Sequence, residues 1–248
     1  MQTLINYDLY IDETMKIVSW NCKMAYRNKL DHIQKFNPDI VVVPECENFG
    51  TQTSRRLWFG ENRNKGIGIF SYSDYEIEFN PNYNPIFRYI IPIKVKGPVN
   101  LNLLAVWAMN DSIDVRKRYI GQVWLAINYY KELLNEPLII IGDFNWNKIW
   151  DANPSYPLYG NLTDVVKILK DKEIQSTYHS FCGEEFGKET KPTLFMHHNR
   201  NKPYHVDYCF ASKHFKLENV EIGEYADWAK KSDHMPLMIA SKFEDSMG

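Results

Sequence analysis

Carboxylates and carboxamides stand just past three apolar runs of this chain, and that placement gives the first indication of chemistry. Ile17-Val18-Ser19-Trp20 runs into Asn21, Ile40-Val41-Val42-Val43 into Pro44-Glu45, and Leu138-Ile139-Ile140-Ile141 into Gly142-Asp143-Phe144-Asn145. A fourth segment, Ser232-Asp233-His234, sets an acid and an imidazole just ahead of Met235-Pro236-Leu237. These are the groups that a metal-assisted attack on a phosphate ester requires. Carboxylate oxygens hold a hard divalent cation, a further carboxylate activates water, and amide and imidazole donors neutralise phosphoryl oxygens.

Taken singly, each segment has an ordinary explanation. Gly142-Asp143 has the composition of a common turn, Asp233-His234 that of a cap or surface pair, and Asn21 that of a turn residue. Their combination favours function, with Asp143 as the water-activating base and Asn145 as a donor to phosphate. Asp207 adds a physical constraint, because it lies inside Val206-Asp207-Tyr208-Cys209-Phe210. A carboxylate in so apolar a strand is costly to desolvate unless it is paired. His234 is the natural partner, and the pairing would fix one tautomer and favour the charged imidazole. Glu45 sits closest to its strand end and is the better metal ligand; Glu47 reads as a loop glutamate. The other histidines, His32, His179, His197, His198, His205 and His214, show no metal-ligand spacing, and His205 is expected at the surface.

The elements that must deliver these groups can be read from periodicity. Met15 opens the first strand, so residues 1–14 form a tail or an added edge strand. A helix carrying Leu30, Ile33 and Phe36 ends at Asn37-Pro38. Strands are expected at 66–70, 86–95, 101–107 and 138–141, with a long amphipathic helix over 114–134 between the last two. A helix at 163–170 precedes strands near 174–181, 204–211, 216–222 and 235–240. Strands outnumber helices, which argues for sheets packed on one another with helices outside.

The chain has 248 residues, 44% of them hydrophobic, enough for a single domain over 15–248. A formal charge of −2 excludes a general polycation clamp, although Arg55-Arg56, Arg63 and Lys65, Arg116-Lys117-Arg118, and Arg200 and Lys202 form local basic groups. No apolar stretch is long enough to span a membrane and no secretory signal is visible, so a cytoplasmic, monomeric protein is expected. Cys22, Cys46, Cys182 and Cys209 lack C-x-x-C spacing and read as buried, reduced thiols. The 15% aromatic content is mostly core, with Trp146, Trp150 and Trp228 placed near the motifs.

From Met15 to about Lys242 the chain resembles the endonuclease/exonuclease/phosphatase superfamily, in its exonuclease III, AP endonuclease and deoxyribonuclease I-like branch. The resemblance rests on Ser19-Trp20-Asn21, Pro38-Asp39-Ile40 through Pro44-Glu45, Gly142-Asp143-Phe144-Asn145, His205-Val206-Asp207-Tyr208 and Ser232-Asp233-His234-Met235-Pro236-Leu237. It implies a four-layer α/β/β/α sandwich of two packed mixed sheets flanked by helices. It also implies Mg²⁺ or Mn²⁺ on Glu45, with Asn21 and Asp233 beside it. Asp143 would activate water, Asn145 would hold the phosphate, and His234, oriented by Asp207, would stabilise the pentacovalent transition state. Two positions depart from the pattern. Lys23 stands where AP endonucleases carry an Asp, and would touch phosphate instead. Trp107 stands where many members carry His or Tyr, and with Asn110 is a candidate substrate contact that offers neither a phenol nor an imidazole. The resulting expectation is a metal-dependent hydrolase, an endonuclease or exonuclease acting on DNA. The alternatives are a phosphatase or phosphodiesterase of a small or lipid-derived ester, and a non-catalytic binding module on the same scaffold.

Overall fold

The apolar runs become strands buried on both faces, which is why they read as continuous rather than alternating. The computed structural model describes residues 14–244, so the expectation for the N-terminal tail falls almost wholly outside the described residues. In chain order the elements are β1 (Met15–Ser19), α1 (Leu30–Gln34), β2 (Ile40–Cys46), β3 (Arg56–Asn62), β4 (Lys65–Ser71) and β5 (Glu76–Phe79). There follow β6 (Ile90–Lys96), β7 (Leu101–Trp107), α2 (Ile120–Tyr129), β8 (Leu138–Asp143), α3 (Leu162–Lys170), β9 (Ile174–Ser176) and α4 (Thr177–Cys182). The last are β10 (Leu194–Phe195), β11 (Pro203–Tyr204), β12 (Asp207–Ser212), β13 (Phe215–Ile222), α5 (Tyr225–Trp228) and β14 (Leu237–Phe243).

Two six-stranded sheets result, in the orders β13-β14-β1-β2-β4-β3 and β5-β6-β7-β8-β12-β9, with β10-β11 as a separate hairpin. In each sheet the middle pair is parallel, β1 with β2 and β7 with β8, and the other pairings are antiparallel. Parallel neighbours need a crossover; the segment holding α1 supplies one and that holding α2 the other.

Alternation along β8 divides the core. Ile139 and Ile141 join the cluster that includes Ile17, Val41 and Val43 of the first sheet. Leu138 and Ile140 join Ile120, Val123 and Ile127 of α2 and Leu162, Val165 and Leu169 of α3. The architecture is therefore two mixed sheets packed face to face with helices outside, as the resemblance implies. Continuing the same parity puts Trp107, Asp143 and Asp207 on the face between the sheets.

Several boundaries differ from the periodicity reading. The helix expected over 114–134 is α2 alone, flanked by 3-10 turns at Val115–Lys117 and Lys131–Asn135. Asp114 caps the first turn through Arg116 N, and Tyr119, at φ 48°, sends its N–H to Met109 O at 2.8 Å instead of into a helix. The start of the 86–95 strand is a 3-10 turn at Pro85–Phe87, begun by the Asn84 side chain and the Pro that follows it. The 174–181 strand stops at Ser176 and turns into α4, which ends on Gly183 in the left-handed region at φ 68°. β3 and β5, absent from the periodicity reading, complete the first and second sheets. Cys22, Cys46 and Cys209 are buried as expected, but Cys182 is exposed because it ends the surface helix α4.

Candidate active site

The ends of the four central strands converge because the parallel pairs run their C-terminal ends the same way. Asn21 follows β1, Glu45 lies near the end of β2, Trp107 ends β7 and Asp143 ends β8. The antiparallel neighbours bring their N-terminal ends to the same place. Asp207 opens β12 directly opposite Asp143, and Trp107 is in register with Asp143 on the other side. His234 precedes β14 and bridges to Leu194 of β10.

Local backbone geometry then turns each side chain. Cys46 pairs with Gly66 while Pro44 pairs with Ile67, so Glu45 is the extra residue of a β-bulge, at φ 58°. Bulges re-aim side chains, and this one brings Glu45 to the rim, half-buried. Gly142 has φ 149°, and a Cβ there would lie 1.9 Å from Val106 O, so only glycine allows β7 and β8 to approach so closely beside Asp143. Asn145 takes the left-handed conformation at φ 49°, which asparagine tolerates, and its amide folds back over the strand end.

The resulting hydrogen bonds form one connected set. Asp143 Oδ2 accepts from Asn21 Nδ2 and from Asn145 Nδ2, both at 2.9 Å, and Oδ1 accepts from Asn145 N at 2.8 Å. Asn145 Nδ2 also donates to Ala108 O at 3.0 Å. His234 Nδ1 lies 2.9 Å from Asp207 Oδ2, and its Nε2 stands 4.0 Å from Asp143 Oδ2, beyond hydrogen-bond reach. Asp207 Oδ1 has no hydrogen-bond partner among the described residues. Thr193 Oγ1 accepts from the N–H groups of Val206 and Asp207, and Ser232 Oγ donates to Asn21 O at 2.7 Å while accepting from His234 N at 3.1 Å. Trp20 Nε1 holds His234 O at 2.9 Å.

Burial sets the electrostatics. Asp143 is 0% exposed and Asp207 1%. Burial pushes Asp143 up to about 7, partly offset by the His234 imidazole and by the Asn21 and Asn145 hydrogen bonds. Burial alone would lower His234, but the charges of Asp207 first, then Asp143 and Asp233, outweigh it and raise it to about 10. The pair is thus imidazolium against carboxylate, with a second carboxylate poised near neutrality. Two buried acids against one imidazole leave a net negative charge that a cation would compensate. One ligand atom from each of Asp143, Asp207 and His234 lies within 4.8 Å of the others.

The chain therefore brings Asn21, Asp143, Asn145, Asp207 and His234 into one network. Glu45 and Asp233 lie at its rim, each carrying an ammonium group: Lys65 Nζ is 3.2 Å from Glu45 Oε1, and Lys23 Nζ is 3.5 Å from Asp233 Oδ1. Lys23 also meets His198 Nε2 at 2.7 Å. Trp107 is 2% exposed and offers no open ring face; it packs on Tyr89 with centroids 4.7 Å apart. Asn110 lies exposed in the loop beyond β7. His205 is buried, not superficial, because the strand entry that carries Asp207 runs under Tyr178; its Nδ1 meets Lys191 O at 2.9 Å and burial lowers its pKa. Thr193, Ser232 and Lys65 were not singled out as site residues by the sequence. Ser232 carried a signal, a hydroxyl two residues before the histidine in a motif already marked, and Lys65 one as a member of the Arg63 and Lys65 basic group; Thr193 carried none.

Residues 18–234 match the model of the Endonuclease/Exonuclease/phosphatase family. No curated protein matches the sequence. Among solved structures, a 3′-5′ exonuclease (NExo) from Neisseria meningitidis superposes with a TM-score of 0.66 at 18% identity, covering 93% of this chain and 100% of that one. The endonuclease domain of TRAS1, a telomere-specific non-LTR retrotransposon, gives 0.65 at 13% identity, covering 94% and 100%. A humanized TDP2 of D. rerio gives 0.64 at 15% identity, covering 92% and 99%. At these identities the likeness is one of fold.

Proposed function

The chain belongs to the endonuclease/exonuclease/phosphatase family, and from that premise we propose that it is a divalent-metal-dependent phosphoesterase that hydrolyses P–O bonds in DNA by in-line attack of water. The observation that carries the reading is the joined pair of Asp207–His234 and Asp143 with its two carboxamides. Asp143, poised near pH 7, is the general base that takes the proton of the attacking water, since a catalytic base works best with a pKa near the operating pH. Asn145 orients a phosphoryl oxygen. His234, kept cationic by Asp207, stabilises charge that grows on the phosphorane-like transition state.

The residues fit a hard cation. Glu45 and Asp233 offer carboxylate oxygens at the rim, each with a positive group already seated against it, and the carboxamide oxygen of buried Asn21 is the further donor the site would provide. A bound Mg²⁺ or Mn²⁺ would supply Lewis-acid neutralisation of the phosphoryl oxygens there. Asp143, Asp207 and His234 are close enough to share a cation, but a protonated imidazole has no lone pair to give, so Glu45 is the better anchor.

DNA is preferred over a small ester because of what adjoins Asn145. A cavity of about 300 Å³ opens there, walled by Trp146, Trp150, Tyr156, Met196 and Val206. Aromatic walls beside a phosphate site suit a nucleobase. Arg118 lies 5.2 Å from the Tyr156 ring, near that wall, whereas Arg116 is already held by Asp114 at 2.9 and 3.1 Å. The test is a panel of plasmid, single-stranded DNA, duplex with an abasic site, RNA and bis-p-nitrophenyl phosphate, with Mg²⁺, with Mn²⁺ and with EDTA. DNA cleavage lost in EDTA is expected, with duplex binding falling with salt at a slope near −0.9 per phosphate contacted. DNA neither cut nor bound at low salt, while the small ester turns over, would reject DNA as the substrate.

A further inference from the structure

Lys65 lies outside every motif, yet it reaches the site from the β3–β4 hairpin. It opens β4 opposite Asn62, and the next residue, Gly66, pairs across the bulge that carries Glu45. Its ammonium has two partners. One is Glu45 Oε1 at 3.2 Å; the other is the ring of Trp107, with Nζ 5.5 Å from the centroid. Trp107 is itself fixed, packed on Tyr89 and in register with Asp143. One cation thus spans the rim carboxylate and the strand end beside the candidate base, with its side chain still 42% exposed.

The two partners respond differently to a divalent ion. An ion held by Glu45 competes with Lys65 for the same carboxylate and repels the ammonium. It has no claim on the Trp107 ring, which keeps its attraction for a cation. An ammonium displaced from Glu45 but retained at the ring has N–H donors without an acceptor, at the place where a phosphate would enter. We infer that Lys65, seated over Trp107, is a substrate-positioning cation that contacts the phosphate once Glu45 is engaged by a divalent ion. The inference rests on the proposed phosphoesterase site and deepens it, since buried Trp107 supplies a ring to seat the ammonium rather than a charge for the phosphate.

Two surface substitutions separate this role from simple neutralisation of Glu45. Lys65→Met and Lys65→Arg are titrated calorimetrically with Mn²⁺, and then with inorganic phosphate in saturating Mn²⁺. Removing a hydrogen bond to a charged group weakens binding on the order of 10- to 100-fold, so Lys65→Met is expected to lose that much phosphate affinity. It binds Mn²⁺ at least as tightly as the parent, because a competitor for Glu45 has gone. Lys65→Arg retains most of the phosphate affinity. With a hydrolysed substrate, KM rises in Lys65→Met and kcat changes little. Parental phosphate affinity in Lys65→Met overturns the inference, and so does weakened Mn²⁺ binding, which would make Lys65 a prop for the cation ligands. Phosphate binding is read without turnover. A parent protein that hydrolyses nothing would therefore sink the hydrolase reading while leaving this result legible.

Discussion

Replacing Asp207 by asparagine isolates the charge of the buried pair from its shape. In the parent, Asp207 Oδ2 meets His234 Nδ1 at 2.9 Å, and Oδ1 has no hydrogen-bond partner among the described residues. Asparagine keeps one acceptor for Nδ1–H but puts an amide donor where that oxygen stands alone. A buried donor without a partner costs about 1–3 kcal/mol, and the lost charge pairing adds to it, so destabilisation on the order of 3 kcal/mol is expected near neutrality. The sign with pH follows from His234, whose folded value is raised from 6.5 to about 10. Stability from that shift is fully present below pH 6.5 and is lost as pH rises through about 10. The deficit of Asp207→Asn is therefore largest at pH 6 and shrinks toward pH 10. Urea unfolding of both proteins at pH 6, 8 and 10 measures it. In turnover, losing a preorganised cation at the transition state costs about 10²–10³ in kcat. A stability deficit that does not vary with pH, or a kcat within a few fold of the parent, would refute the imidazolium–carboxylate assignment.

Glu45 and Glu47 are separated by what they already bind. Glu47 accepts from Tyr26 N at 2.7 Å and Arg27 N at 3.1 Å, so Glu47→Gln is expected to cost about 1 kcal/mol of stability and leave Mn²⁺ affinity unchanged. Glu45→Gln should do the reverse, weakening Mn²⁺ binding by about tenfold or more in calorimetry at little cost in stability. Gly142→Ala forces a methyl to within 1.9 Å of Val106 O at φ 149°, so a loss of more than about 3 kcal/mol or failure to fold is expected, read by urea unfolding. A well-folded Gly142→Ala protein would contradict the close approach of β7 and β8.

The sequence carried those parts of the site that local grammar encodes. Strands buried on both faces announce themselves as apolar runs, and a polar residue at the end of one is conspicuous; Asn21 and Asp143 were legible for that reason, and Asp207 because it is embedded in one. Desolvation required a partner for Asp207, and the resemblance pointed to His234 among the seven histidines. What escaped was set by contacts distant in sequence. Lys65 was visible only as one of a local basic group, and its seat beside Glu45 depends on β4 pairing with β2; Thr193 matters only because β12 starts beside it. His205 read as surface since nothing in its neighbours shows that Tyr178 covers it. The break in the 114–134 helix was hidden because the apolar spacing persists through Tyr119, whose N–H is claimed by Met109 O. Trp107 was visible as a departure from the family pattern, but its burial, and hence its use as a seat for Lys65, was not.

The most direct measurement is kcat for the parent and for Asp143→Asn, purified in parallel, on a DNA duplex in saturating Mg²⁺. Asparagine preserves the size of Asp143, and its one oxygen can still accept from the Asn21 and Asn145 amides, but its Nδ2 then faces the Asn145 N–H, so urea unfolding and duplex binding of both proteins are measured alongside. Removal of a positioned general base typically costs about 10²–10⁴ in rate, and a fall of at least that size is expected. An Asp143→Asn protein that cleaves within a few fold of the parent would place the water-activating group elsewhere and contradict the site.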